Sequence, residues 1–505
     1  MRPDLSRRSF LATASQASLL GAGGLEFLSR LPAVSAQDAK IDPSIVRFLP
    51  EIEPLVRLLE DTPRERLLEE VAERIHNKGT THREVLAALL LAGIRNIQPR
   101  PVGFKFHAVL VVNSAHLASQ NSPDSDRWLP LFWALDQFKS SQEKDKKEGD
   151  WTMEAVFEPA VPPVEKAVEY FRKGMDGWDP QCADTAAASI ARSLNSQAAF
   201  DLYCRYGARD YRDIGHKAIY VSNSWRLLDT IGWQHSEPVL RSLAYALLAF
   251  DGTNPAERDA LADRPGRKNN ERVKELRATW NGGENKPGTA AEILAVLRSG
   301  TWDDAAAKVV SLINEGSSPQ PIWDGMFQFA AELLMRAPGI VSLHASTSTN
   351  ALHYAFCHAC DDETRRFLLL QNASFLPLFR ADAGVEGSGV QIDTLEPLAS
   401  ESKDIAAVDE IFSGLADDRM TAARRTLDFL NKGGDPKMFT DAAQRLIYLK
   451  GTDSHDYKYS SAIIEDYKSL SPAFRNRFLA ASTHWLKGSS IADSPLVARS
   501  RAALG

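Results

Sequence analysis

Apolar residues recur at helical spacing along most of the chain, as Val85, Leu86, Leu89, Leu90 and Ile94 do within 81–96. Such runs come in a repeating order. Four stretches predict an amphipathic helix closing near Asn, Ser or Gly, over 64–79, 184–196, 303–316 and 420–434. Asn and Gly suit the left-handed residue that ends a helix. A second helix follows each, over 81–96, 198–209, 321–336 and 435–450. Next come a short loop, a histidine and a third segment. A fourth helix closes each unit, over 128–138, 239–250, 364–379 and 474–486.

The strand-like runs 108–112 and 218–221 sit inside helix-spaced patterns, so the expected fold is all-α. Four divergent copies of a four-helix unit, at 37–150, 151–287, 288–402 and 403–505, predict a closed pseudo-symmetric helical bundle or an open α-solenoid. Their extra length falls in polar stretches at 139–150, 251–287 and 381–402, which read as solvated loops.

Composition leaves that picture intact. The 505 residues are 44% apolar and 25% charged, enough for a substantial core. A net charge of −7 speaks against general nucleic-acid binding, which needs a basic face. Four cysteines in so long a chain exclude a disulfide-built scaffold.

The N-terminus adds an address. Ser6-Arg7-Arg8-Ser9-Phe10-Leu11 resembles the twin-arginine export signal. A mildly apolar stretch over 10–24 follows it, and Val34-Ser35-Ala36 offers a small-residue cleavage site. Residues 1–36 are therefore expected to be a signal peptide, the alternative being an ordinary N-terminal helix. Glu26 and Arg30 interrupt the apolar run, so stable membrane insertion is not expected. The resemblance implies recognition by the twin-arginine export machinery and a periplasmic or otherwise exported, soluble mature protein. That route carries folded proteins, often with a cofactor inserted, which favours a bound metal or organic group.

Polar residues gather in the third segments. His107, His216, His344 and His455 occupy equivalent places, 109, 128 and 111 residues apart. Two copies obey His-x5-Asn-x2-His, as His107, Asn113 and His116 and as His344, Asn350 and His353. The second copy has His216, Asn223 and Arg226, and the fourth has Ser461 where the Asn stood. Asn and His three apart share a helix face. Histidines nine apart do not, so His107 and His116, or His344 and His353, would share a site only if His107 and His344 precede their helices. Ser346 and Thr347 suit such a helix start.

Neutral imidazoles converging on one axis would suit zinc, iron or copper. The competing reading has each histidine donate one hydrogen bond to a backbone carbonyl. Cys357-His358-Ala359-Cys360 lacks the second pair that a structural zinc site needs and reads as helix packing, with Cys182 and Cys204 as core residues. His235-Ser236-Glu237 reads as a helix start, and 209–213 as a salt-bridged loop whose Asp213 could orient His216. No His-Glu-x2-His, phosphate loop, dinucleotide fingerprint or Gly-x-Ser-x-Gly elbow is present.

The segments around Phe106-His107 and Leu343-His344 resemble histidine-bearing segments of questin oxidase-like proteins. Those proteins are helical and are associated with Baeyer–Villiger oxidation of aromatic polyketides. The likeness covers a few dozen residues around His107, His216 and His344. It implies oxygen-dependent oxidation of a small-molecule substrate at a histidine-lined cleft. His107, His216 and His344 are then the candidate catalytic residues, with Asn113, Asn223 and Asn350 as cofactor-binding residues. His107, His216, His344 and His455 are the candidate metal ligands. The alternative function is a non-catalytic helical-repeat protein that binds a protein or peptide partner. Convergence of the four histidines decides between the two.

Overall fold

Helix starts along the chain are set by polar caps. Thr81 accepts a hydrogen bond from the backbone N–H of Glu84, whose carboxylate in turn accepts one from the Thr81 N–H. Thr301 with Asp304 and Asp453 with Asp456 form the same reciprocal pair. The closing Asn expected near 195 does the opposite job: the first helix ends at Ser193, and Asn195 caps the next one by accepting from Ala198 N–H. Gly79 closes its helix at φ 66° as expected.

The computed structural model describes residues 42–505 apart from 386, 388 and 400–402. The twin-arginine segment lies outside the described residues. Within them the fold is all-α, with isolated bridges and no strand. No helix there is long and apolar enough to cross a membrane.

Four inner segments organise the rest: His107–Leu110 running on into Val112–Gln120, then His216–Ile231, Ile340–His358 and Ser454–Ser469. Each packs against the next, and Ser454–Ser469 packs back on Val112–Gln120, which also touches His216–Ile231. The cycle is closed, as a bundle requires and an open solenoid does not allow. The outer helices lie in pairs around it, for example Arg64–Lys78 on Leu129–Glu148 and Trp302–Asn314 on Asp362–Asp382. The final helix, Pro495–Leu504, returns to pack on Arg64–Lys78 and Leu129–Glu148.

Two of the polar stretches are not solvated loops. Residues 139–148 continue the helix Leu129–Glu148, with Lys139, Gln142 and Asp145 turned inward. Lys139 Nζ donates to the carbonyls of Leu59 (3.2 Å) and Glu60 (2.9 Å). Asp145 accepts from the backbone N–H groups of Gln98 (3.0 Å) and Trp151 (2.7 Å). Lys139 and Asp145 look like surface in the sequence because three of these backbone partners are 47 to 80 positions away. The stretch 251–287 contains the helix Arg264–Arg272, whose buried Asn269 donates to Gln371 Oε1 (2.8 Å) and Ser374 Oγ (3.0 Å). Its Trp280 is buried and donates to Asp362 Oδ1 at 2.7 Å. In the third stretch Ile392 is buried and its N–H donates to Glu332.

Buried charge also ties the N-terminal helices together. Arg95 is 2% exposed and donates to both carboxylate oxygens of Glu60 and to Glu53 Oε1, all at 2.7 Å. Removing a buried partner leaves an uncompensated charge, at a cost of about 3–5 kcal/mol. Arg95→Ala is therefore expected to destabilise the protein by about that amount in urea unfolding. A loss below about 1 kcal/mol would mean that the triad is solvated.

Candidate metal centre

Each inner segment presents its histidine near its N-terminal end. His107 opens its helix directly after the turn Phe104–Phe106. His216 is the first residue of its helix, behind Asp213, Ile214 and Gly215 at φ 54°, 45° and 80°. Two non-glycine residues in that region cost about 1–3 kcal/mol each. The strained turn aims the Asp213 carbonyl at the imidazole. His344 is the fifth residue of Ile340–His358, and His455 the second of Ser454–Ser469.

On all four rings Nδ1 is already committed to an acceptor. It faces Phe104 O at 2.8 Å in His107, Asp213 O at 2.6 Å in His216 and Ile340 O at 2.7 Å in His344. In His455 it faces the carboxylate of Asp453. Acceptors at Nδ1 place the proton there and leave Nε2 as a bare lone pair. Those Nε2 atoms converge. His216 Nε2 is 2.9 Å from His107 Nε2 and 2.8 Å from His344 Nε2. His455 Nε2 is buried without a hydrogen-bond partner.

One ligand atom from each of the four lies within 4.8 Å of the others. An ion with Zn–N-like bonds sets tetrahedral neighbours roughly 3.3–3.4 Å apart, so the closest pairs stand a few tenths of an ångström tighter than an ion needs. Two facing lone pairs repel unless a cation or proton sits between them. Burial disfavours the proton: it drives His107 down to about 2 and His216 and His344 well below their ordinary value, with Lys458 adding to each. The donor set, all neutral nitrogen with no carboxylate, suits zinc, iron or copper rather than magnesium or calcium.

The other expected residues divide. Asn113, Asn223 and Asn350 line a cavity of about 20 Å³ beside the centre, together with Arg226, Lys458 and Glu465. Asn223 donates to Leu110 O (3.0 Å), and Asn350 donates to Glu465 Oε2 (2.8 Å) and Asp466 Oδ1 (2.7 Å). Arg226 closes the far end on Glu465 at 2.5 Å.

His116 and His353 are not part of the centre, because His344 lies inside its helix and not before it. Ser346 and Thr347 accordingly cap nothing; Thr347 donates to Leu343 O within the helix at 3.4 Å. His116 packs on His82, and His353 packs on Trp323 and Phe327 with ring centroids 4.9 and 5.0 Å away.

Asp213 holds His216 through its backbone carbonyl. Its own carboxylate makes no contact with the ring and is pushed up to about 6 by burial. The loop is salt-bridged as expected, through Arg212 to Asp263 and Lys217 to Asp210. His235-Ser236-Glu237 does start a helix. Cys204 is buried, Cys182 half-buried, and Cys357 and Cys360 are exposed rather than packed.

Sequence reasoning missed Lys458, Glu465 and Asp466. One signal was readable: Lys458 stands three residues after His455, whereas Leu110, Ile219 and Thr347 stand three residues after the other three histidines. No protein-family model, curated protein or solved structure matches the chain.

The peripheral histidines give a pH test independent of the centre. Burial pushes His82 and His353 down to about 4. The unfolded chain, titrating near 6.5, then binds more protons than the fold between those values. Their contribution is fully present above pH 6.5 and is lost as pH falls toward 4. Each removes about 1.4 kcal/mol per pH unit. His353→Gln should flatten the stability–pH curve by that slope; an unchanged slope in urea unfolding between pH 6.5 and 4.5 would refute the assignment.

Proposed function

We propose that this protein is an exported metalloprotein carrying one transition-metal ion on His107, His216, His344 and His455, and that it acts as an oxidoreductase on a small substrate. One observation carries the metal reading: four imidazoles, His216 and His344 buried and His107 and His455 partly so, have their Nδ1 atoms spent on acceptors and turn four bare Nε2 lone pairs toward one point. A backbone hydrogen bond accounts for Nδ1 alone. It gives no reason for the rings to meet. Bound iron or copper would supply one-electron chemistry, and zinc Lewis acidity.

The chain's own residues hold this centre in place. The Phe104, Asp213 and Ile340 carbonyls and the Asp453 carboxylate fix ring tautomer and orientation and raise the donor strength of Nε2. The oxidoreductase reading draws further support from the resemblance to questin oxidase-like segments and from the polar cavity beside the centre. Among the described residues the inner helices form a closed cycle, unlike the open solenoid whose concave face would hold a peptide.

A second reading has an observation of its own. Four protein ligands fill a tetrahedral shell, as structural zinc sites do. The ion would then pin the inner segments together without reacting.

Elemental mass spectrometry on the full-length protein should find about one iron, copper or zinc per chain, lost in His216→Ala and His344→Ala while far-UV circular dichroism persists. Zinc alone, with a large fall in melting temperature on chelation and no redox activity, would establish the structural reading. A protein without metal that takes up none from solution would overturn both. For the export part, Arg7→Lys with Arg8→Lys should hold the protein in the cytoplasm on cell fractionation; unchanged export would remove the twin-arginine assignment.

A further inference from the structure

Lys458 differs from the other buried bases of this fold. Arg95 sits between Glu53 and Glu60, Lys217 faces Asp210, and Lys139 is taken up by two carbonyls and Gln142. Lys458 is 3% exposed, and its Nζ has His344 Nε2 at 3.4 Å as its polar neighbour. Among the described residues no carboxylate stands in ion-pair range of it. Asp453, the acid whose charge acts on it, is committed to His455. Glu465, at the far end of the cavity, is committed to Arg226 and Asn350.

Lys458 lines the cavity with Ser461, Asn113 and Asn350, and its amine stands between that cavity's lining and His344. A divalent ion on the histidines would place more positive charge here than the surrounding carboxylates neutralise. Uncompensated buried charge is costly, and the deficit is negative. We infer that the cavity beside the four-histidine centre is a site for a small inorganic anion, hydrogen-bonded by the Lys458 amine. This rests on the reading of the histidines as a metal centre.

Size limits the class. About 20 Å³ is room for roughly one water-sized group. A halide, or a linear anion with one end in the cavity, fits; a polyketide ring or a carboxylate-bearing metabolite does not. The side of the cavity away from the centre meets solvent at Glu465, whose side chain is 40% exposed. That is the route by which an anion would enter, past the Arg226 guanidinium.

Azide is the probe. It would be titrated into the full-length protein as purified, and after loading with Co(II) or Cu(II), with visible absorption as the readout. Saturable spectral change is expected. Lys458→Met, close in volume, should retain the metal and bind azide about tenfold or more weakly. Ser461→Val, which narrows the cavity and keeps the amine, should also weaken azide with metal content unchanged. Equal azide affinity in both variants would overturn the site. So would a fully loaded protein with no azide response, which leaves the metal reading standing. A protein that takes up no metal overturns that reading and this inference with it, and the metal assay alone separates the two failures.

Discussion

Facing lone pairs on buried imidazoles are the constraint around which this fold is arranged. With Nδ1 holding each ring's proton, Nε2 atoms 2.8–2.9 Å apart repel unless a cation or a proton sits between them. Yet the helix ends that carry these rings are themselves positive. Four N-termini meet at one point, and each disfavours a cation by about 0.3–1 kcal/mol, up to about 2 when partly buried. Ion ligation is larger: structural zinc sites release about 10–16 kcal/mol on binding. Ligation of such an ion would therefore outweigh the dipoles. The same dipoles do useful work on the rings, since they help burial keep the imidazoles neutral and ready to donate.

Because all four N-termini meet at the histidines, the inner segments run in the same direction. Their second and third turns then line the same axis. This explains why Asn113, Asn223, Asn350 and Ser461, six or seven positions after the histidines, reappear around one cavity. It also explains why Arg226 and Glu465, each ten positions after a histidine, meet as an ion pair. A polar axis is costly unless its groups are partnered. Most are; two exceptions on this axis are His455 Nε2 and one oxygen of Asp466, buried without partners.

Much of the helical layout was readable because helix periodicity is local. The equivalence of the four histidines was readable for a related reason, since each follows a second helix of similar length. Their convergence depends on ring closure, which spacing does not contain. His116 and His353 misled through local spacing alone: nine residues along a helix point a ring elsewhere, and His344 lies within its helix instead of before it. The charged stretch at 139–148 misled for the opposite reason, its inward partners being backbone carbonyls distant in sequence. Lys458 sits in an otherwise sparse pattern, and its meaning depends on which carboxylates are already taken.

Each proposed ligand comes from a different segment, with neighbours at least 109 positions apart in sequence. Loop closure over such distances costs only slowly more with length, but three closures are needed before a fourth nitrogen arrives. The unfolded chain cannot assemble this site, so an ion that binds the fold and not the unfolded chain stabilises the fold, by about 4 kcal/mol at a thousandfold excess over its dissociation constant. Occupancy of the proposed metal site would then report that all four segments have closed. A chain exported unfolded would have to find its ion and close its ring outside the cell. A route that carries folded chains would deliver the ion chosen inside, and on that argument the proposed twin-arginine signal and the four-histidine centre belong to one design.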